Sequence, residues 1–466
     1  MNTHDEAKNE TLTAGAMVRY GIGQTGAQIF RDTPAALLPV FMTTMLGIPA
    51  WIAGLVILIP KLWVICCDPL MGAWSDRAAP HVGRTPFLVT GALATALGFL
   101  ILFSFTDFPS VTIAALWMGV MFALSMTAFS AFSVPYLAVA AELTPDTHER
   151  TKLLVVRMIF LTFGVILGVG LAQPMVFWFG GGAAGWFKMA LVFTAICGGT
   201  MLASALLLRP LLKGKHASDA EIPTFRSQLA AAAQNKPFRI LLGVHMLQNI
   251  GQSVGYTVIA FVFIYLAENI ALLPSFVLAM SIIGLSAQPL WPGLSRKLGK
   301  QGLFAILTLG WCLVTISWLF IDLGENISMT LPLLGQITGK DFLILVRGAL
   351  IGVTNSGFVL LITSLFTDTV HVGPRSGKAA VEGGYAGVWS AVEKLAFALG
   401  PMVAGIVLSV AGFQSSKTGV VAQTDGALLG ITIAYSLVPI SFFLLSLTLM
   451  PAFNRAMKQA EGPVTS

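Results

Sequence analysis

The chain has 466 residues, of which 56% are hydrophobic and only 10% charged, with a mean hydropathy of +0.83. A soluble domain carries about 25% charged residues to cover its surface, so the composition excludes a string of soluble domains, a disordered chain and a nucleic-acid-coating protein. A polytopic membrane protein remains, solvated by lipid tails, and the net charge of +6 reads as topology and attraction to anionic headgroups rather than a nucleic-acid footprint.

A membrane span needs about 20 predominantly apolar residues to cross a hydrocarbon core of ~30 Å. Segments of this kind are predicted at 17–46, 50–76, 84–106, 110–141, 151–178, 189–211, 237–267, 272–295, 301–322, 342–367, 379–412 and 427–451. All are expected to be helical, because an open sheet would leave edge amides unsatisfied in lipid. Residues 1–15 are polar with no apolar stretch after a basic start, so no cleaved signal peptide is expected. The odd-numbered connections hold only Lys188, Lys340 and Lys417, and Arg31, Lys61, Arg157, Arg347 and Lys394 fall inside spans. The other 19 of the 27 basic residues lie in the termini, the even-numbered connections or the adjoining span ends. Both termini are therefore expected to be cytoplasmic, in a cell membrane and, for a bacterial chain, the inner one.

The polar stretch around 212–236 divides the spans into six plus six. The expected domains are an N-terminal bundle over 1–211, a central cytoplasmic loop over 212–236 and a C-terminal bundle over 237–466. Pro69/Pro289, Leu70/Leu290 and Ser75/Ser295 coincide at a constant offset, which points to a two-fold internal repeat. That is the layout of transporters whose halves rock around a central site. The fold class is thus an all-α polytopic membrane protein with twelve transmembrane helices in two pseudo-symmetric six-helix bundles.

Chemistry for an enzyme is missing. Cys66, Cys67, Cys197 and Cys312 sit in apolar runs, and the six histidines show no metal-ligand spacing, so no metal and no cofactor are expected. Gly180 to Gly182 lack a following Lys-Ser/Thr, no Walker signature occurs, and no catalytic triad is visible.

Gly72-Ala-Trp-Ser-Asp76-Arg77, followed by Gly83-Arg84, is expected to form a gating loop in which an acid beside arginines makes a breakable latch to a neighbouring helix. This segment resembles the loop between helices 2 and 3 of the major facilitator superfamily. A narrower resemblance covers most of the chain in order. Tyr20-Gly-Ile-Gly23, Leu46-Gly-Ile48, Asp68-Pro-Leu-Met-Gly72, Val134-Pro135-Tyr136, Asp368-Thr-Val370 and the run from Gly377 to Trp389, leading to Glu393-Lys394-Leu395, are similar to the glycoside–pentoside–hexuronide:cation symporters, the melibiose-permease-like branch. The resemblance implies cation-coupled sugar transport by alternating access, with a substrate site between the two halves.

Carried over residue by residue, the resemblance is uneven. The family often has two carboxylates one turn apart on helix 2; Asp68 matches the second, and Val64 occupies the first. The family's sugar-recognising acids align with Gln28 and Ser133, while Arg157 and Lys394 match its basic residues. Ionisable side chains inside a membrane are costly and usually serve function, which singles out Arg31 and Asp32, one turn beyond Gln28. Asp68 is expected to carry the coupling cation, modulated by Lys394 and Lys61, with a proton favoured over sodium because Val64 removes one carboxylate. A structural Asp68–Lys394 ion pair is the alternative. Tyr385, Trp389 and Glu393 recur every fourth residue and can stack on a sugar ring and accept its hydroxyl protons; Trp63 and Tyr136 can join them, although packing is the ordinary role of such rings. Gln248, Asn249, Gln252 and Tyr256 either line a cavity or bond helix to helix.

The expected partners are a sugar, glycoside or uronide, a coupling cation and membrane lipid, with no nucleic acid and a monomeric assembly. The excess of intramembrane basic residues leans toward an anionic solute such as a uronide. A lysolipid or other amphiphile is the alternative substrate, and a non-transporting receptor or assembly factor the alternative class.

Overall fold

The structure, a computed structural model, describes residues 12–144, 146–212, 233–331, 335–372 and 379–461. Among the described residues, twelve long helical segments follow one another, with a short helix at Leu290–Leu298 between the eighth and the ninth: α1 (Ala14–Thr44), α2 (Ala50–Val82), α3 (Thr85–Ser104), α4 (Val111–Leu143), α5 (Thr147–Val165, continued through Ile166–Leu171 to Ala172–Trp178) and α6 (Gly182–Leu212). Then come α7 (Lys236–Phe261, continued by Val262–Leu266), α8 (Leu273–Ala287), α9 (Lys300–Ile316), α10 (Gly339–Val372), α11 (Ala379–Val410) and α12 (Asp425–Tyr435 and Leu437–Glu461). Among the described residues, eleven of these, α2 to α12, are long and apolar enough to cross a membrane. The exception is α1, 31 residues long. Gln24, Gln28, Arg31 and Asp32 lower its hydropathy, and these same residues make it chemically interesting. The protein is a multi-pass membrane protein.

The chain divides into two compact units, one holding α1 to α6 together with Ser415–Val421, the other α7 to α12. The short segment from the α11–α12 connection thus joins the first unit, which a division at the central polar stretch does not anticipate. In the first unit α1 packs on α5 and α6, α2 on α4, and α3 on α4 and α6. In the second, α7 packs on α11 and α12, α8 on α10, and α9 on α10 and α12. Adding six to each helix number converts one set of pairs into the other, so the repeat read from Pro69/Pro289 extends to the packing. Close approach depends on glycine at two of these crossings. A Cβ on Gly26 of α1 would strike the Cys197 carbonyl of α6, and one on Gly352 of α10 would strike the Met280 carbonyl of α8.

Three expectations change, and one falls outside the described residues. The segment read as a gating loop is helical, because α2 runs on to Val82 and stops at Gly83, whose φ of 71° lies in the left-handed region that glycine tolerates. Gly72, Asp76 and Arg77 therefore sit on a helix, and only Arg84 lies at the turn. Next, α6 starts at Gly182 rather than near 189, after a tight turn in which Gly180, Gly181 and Gly182 all have positive φ. The all-α expectation gains a two-stranded antiparallel hairpin between α9 and α10, Ser328–Leu331 against Gly335–Thr338. Finally, most of the expected central loop, like Gly377 and Lys378, lies outside the described residues.

Candidate functional site

In the first unit, Gln24, Gln28 and Asp32 stand at successive four-residue intervals and so share one face of α1. The Arg157 Nε of α5 donates to Gln24 Oε1 at 2.7 Å, Gln24 Nε2 donates to Gln28 Oε1 at 3.2 Å, and Gln28 Nε2 donates to Asp32 Oδ2 at 2.7 Å. Each amide accepts on the Arg157 side and donates on the Asp32 side, so the chain is polarised from cation to anion. Both glutamines are buried, where such bonds are strengthened by the low dielectric. α5 is fastened beside this face by Thr25 donating to the Phe160 carbonyl and Thr33 to the Gly168 carbonyl. Gly168 belongs to the π-helical turn Ile166–Leu171, a local widening often found at functional sites.

The charges of Arg31 and of Lys61, on α2, both act on Asp32. Lys61, expected to tune Asp68, is therefore grouped with Asp32 and Arg31. Arg31 itself is exposed.

Asp68, half-buried on α2, accepts a hydrogen bond from the Ser130 hydroxyl of α4. Ser130 is 1% exposed, and Ser133 lies one turn beyond it, half-buried. Trp63 Nε1 donates to Thr127 Oγ1 at 3.0 Å, which in turn donates to the Ala123 carbonyl. The aspartate thus meets the Ser130 hydroxyl of α4, while Val64 fills the preceding turn of α2 as a buried apolar group.

Tyr136 requires a correction. It is 2% exposed, its ring stacks on Tyr20 at 4.5 Å and on Phe132 at 5.2 Å, and its hydroxyl donates to the Tyr20 carbonyl. Both its face and its hydroxyl are committed, so Tyr136 packs α4 against α1 instead of forming a platform.

Beyond these residues, Arg84 gathers an ion-pair cluster. Arg84, 5% exposed, pairs with Asp76 at 2.7 Å and with Glu142 of α4, and donates to Ser75 Oγ at 2.9 Å. Burial opposes its charge, but the Glu142 and Asp76 carboxylates outweigh that and hold the guanidinium above its ordinary value. Arg77 is exposed, and Gly72 approaches Val134 of α4. The second unit repeats the device: Lys300, opening α9, pairs with Asp368 near the end of α10 at 2.6 Å.

In the second unit, Trp389 of α11 stacks on His245 of α7 with ring centroids 3.8 Å apart and planes 20° from parallel, and Phe366 of α10 lies 4.8 Å away. Trp389 and Glu393 are half-buried and Lys394 is exposed. Tyr385 is the second correction: it is 2% exposed, packed on Phe238, and its hydroxyl accepts from Asn235 Nδ2. The polar face of α7 bonds helix to helix, Gln252 Nε2 donating to Asn355 Oδ1 and Gln248 Nε2 to Thr308 Oγ1. Arg347 is a cap: it donates to the carbonyls of Ser317 and Phe320 just beyond α9 and lies 5.4 Å from the Trp318 ring. Among the described residues, no three His, Cys, Asp or Glu side chains cluster to hold a metal.

Sequence reasoning missed Gln24, Ser130, Glu142 and His245. Gln24 was within reach, one turn before Gln28; Ser130 and His245 acquire meaning only from the register of α4 against α2 and of α7 against α11.

A family model described as MFS/sugar transport protein matches residues 19–454. The chain belongs to that family. Among its relatives, the isoprimeverose transporter of Lactiplantibacillus pentosus is 24% identical over 433 residues, covering 92% of this chain and 86% of that one. The inner membrane symporter YicJ of Escherichia coli (strain K12) is 24% identical over 445 residues, covering 94% and 91%. Among solved structures, a D-xylose-proton symporter superposes with a TM-score of 0.62 at 16% identity, covering 94% of this chain and 97% of that one. The nucleoside transporter NupG gives 0.62 at 14%, covering 96% and 100%. At such identities the structural likeness establishes the major facilitator fold of this MFS/sugar transport protein, and nothing about its solute.

Proposed function

We propose that the protein is a secondary transporter moving a sugar or glycoside together with a cation by alternating access, with a proton carried on Asp68. The observation that carries this reading is the polarised chain Arg157–Gln24–Gln28–Asp32, a row of hydroxyl-matching donors and acceptors in a helix whose other faces are packed. Membrane helices retain such groups where a polar solute must be met. Relatives described as an isoprimeverose transporter, a raffinose carrier and symporters support the same solute class.

A neutral sugar fits better than a uronide. Arg347 is used as a helix cap and Arg157 donates to the Gln24 amide, so two of the five basic residues that favoured an anion already have neutral partners. For the ion, a carboxylate that accepts from the Ser130 hydroxyl, with apolar Val64 in the preceding turn, suits a proton, whereas a metal cation needs several oxygens around it. A bacterial inner membrane location with cytoplasmic termini completes the reading, on the strength of the Lys and Arg distribution.

Uptake by proteoliposomes of radiolabelled D-xylose and isoprimeverose, driven in turn by a pH gradient and by a sodium gradient, tests it. Accumulation under the pH gradient that Asp68→Asn abolishes, with energy-independent counterflow retained, is the expected result. Sodium-driven accumulation would overturn the proton assignment, and the absence of counterflow with any sugar would overturn the transport reading.

A further inference from the structure

In the second unit, where α7 packs on α11, a buried imidazole backs the Trp389 ring. His245 is 7% exposed and stacks on the indole with centroids 3.8 Å apart and planes 20° from parallel. Asn249 follows His245 by one turn of α7, so the two share a face. Asn249 Nδ2 donates to the His245 carbonyl at 2.7 Å, which ties the carboxamide to its own helix. The same Nδ2 stands 3.0 Å from His245 Nδ1 and 3.3 Å from Nε2. An atom that close to both nitrogens cannot lie in the plane of the imidazole, where it would run into the ring's own carbons, so it lies over the ring. The indole covers one face of the imidazole, and the carboxamide covers the other.

Trp389 is also held by α10. Phe366 lies 4.8 Å away at 45°, and both rings pack against the cluster of Phe238, Tyr385 and Val388. Contacts from two helices thus restrict the two torsions of the indole. The ring is nonetheless only half-buried, and half-buried Glu393 stands one turn further along the same face of α11. A part-open ring locked from behind meets a solute without first losing rotamer freedom, which is the advantage of a preorganised contact. An aliphatic side chain at 245 would fill the space but give the indole no flat surface to stack on.

We propose that His245 is a positioning residue for sugar recognition: it does not touch the solute, and it sets the orientation in which Trp389 meets it. This inference rests on the sugar-transport reading and gives α7 a part in it. The neighbouring polar groups of that helix, Gln248 and Gln252, are bonded to Thr308 and Asn355.

The test measures D-xylose affinity and maximal exchange rate by counterflow in proteoliposomes, alongside thermal unfolding in detergent. His245→Ala should weaken D-xylose affinity about fivefold, the scale of an aromatic pair, with the maximal exchange rate unchanged. Trp389→Ala should match it. The double variant should be no weaker than Trp389→Ala alone, because His245 acts only through that ring. His245→Phe, which keeps a flat ring against the indole, should restore wild-type affinity. Wild-type affinity in His245→Ala, with thermal stability lowered, reduces His245 to packing and overturns the proposal. Losses that multiply in the double variant, or a folded His245→Phe as weak as His245→Ala, overturn it too, since the imidazole itself would then meet the sugar. Unaltered affinity in Trp389→Ala also overturns it and leaves sugar transport standing. Absence of counterflow by the wild-type protein with any sugar removes the transport reading itself.

Discussion

The Gln28 amide donates to the Asp32 carboxylate across 2.7 Å, one turn further along the same helix, with Gln24 and Arg157 in series behind it. Hydrogen bonds to charged groups are worth about 1.5–3 kcal/mol. Gln28→Leu should therefore weaken sugar affinity in counterflow about tenfold or more, while Gln24→Leu, one step further from the acid, should cost less. Equal affinities across wild type and both variants would show that the chain only packs α1 on α5.

Ser130 donates to Asp68 from α4. Removing that hydroxyl with Ser130→Ala takes away a bond to a carboxylate worth about 1.5–3 kcal/mol, so the concentration of cation giving half-maximal uptake should shift about tenfold or more. Ser130→Thr should retain the wild-type value.

Arg84 and Lys300 occupy corresponding places in the two units, but their surroundings differ. Arg84 and Glu142 are 5% and 7% exposed, whereas Lys300 and Asp368 are 40% and 34% exposed. Breaking a buried pair costs about 3–5 kcal/mol, while a solvated one contributes about 0–1 kcal/mol. Thermal unfolding in detergent should fall by several degrees for Arg84→Gln and scarcely move for Lys300→Gln.

Tyr136 and Trp389 should separate packing from solute contact. Tyr136→Phe loses one buried hydrogen bond, so stability should drop by about 1 kcal/mol with sugar Kd unchanged. Trp389→Ala should weaken sugar binding about fivefold, the scale of an aromatic stack, while leaving cation dependence intact.

Gly352 of α10 lies against the Met280 carbonyl, while Gly119 of α4 has open space around it. Gly352→Ala forces overpacking worth about 1–3 kcal/mol and should reduce the yield of folded protein. Gly119→Ala should be neutral or slightly favourable, since alanine is the better helix former.

Much of the fold was legible because the membrane imposes it. Runs of apolar residues must be helices of a set length, and α2 to α12 satisfy that rule from composition alone. Only α1 departs from it, and the polar residues responsible, Gln28, Arg31 and Asp32, had already drawn attention as charges and amides in an apolar segment. The reading of 72–77 as a loop failed because Gly and Asp normally punctuate helices. Here Ser75 and Asp76 find a partner in Arg84, and α2 continues to Gly83.

By itself, the sequence determined the solvent, eleven of the spans, the repeat and the family, because each follows from local composition or from order along one chain. Tertiary structure decided what the buried polar groups do. Arg347 became a cap for α9, Tyr136 and Tyr385 became packing, and Gln24 and Gln28 came to link Arg157 to Asp32. A polar side chain in a membrane must find a partner, and which one it finds depends on the register between helices far apart in sequence.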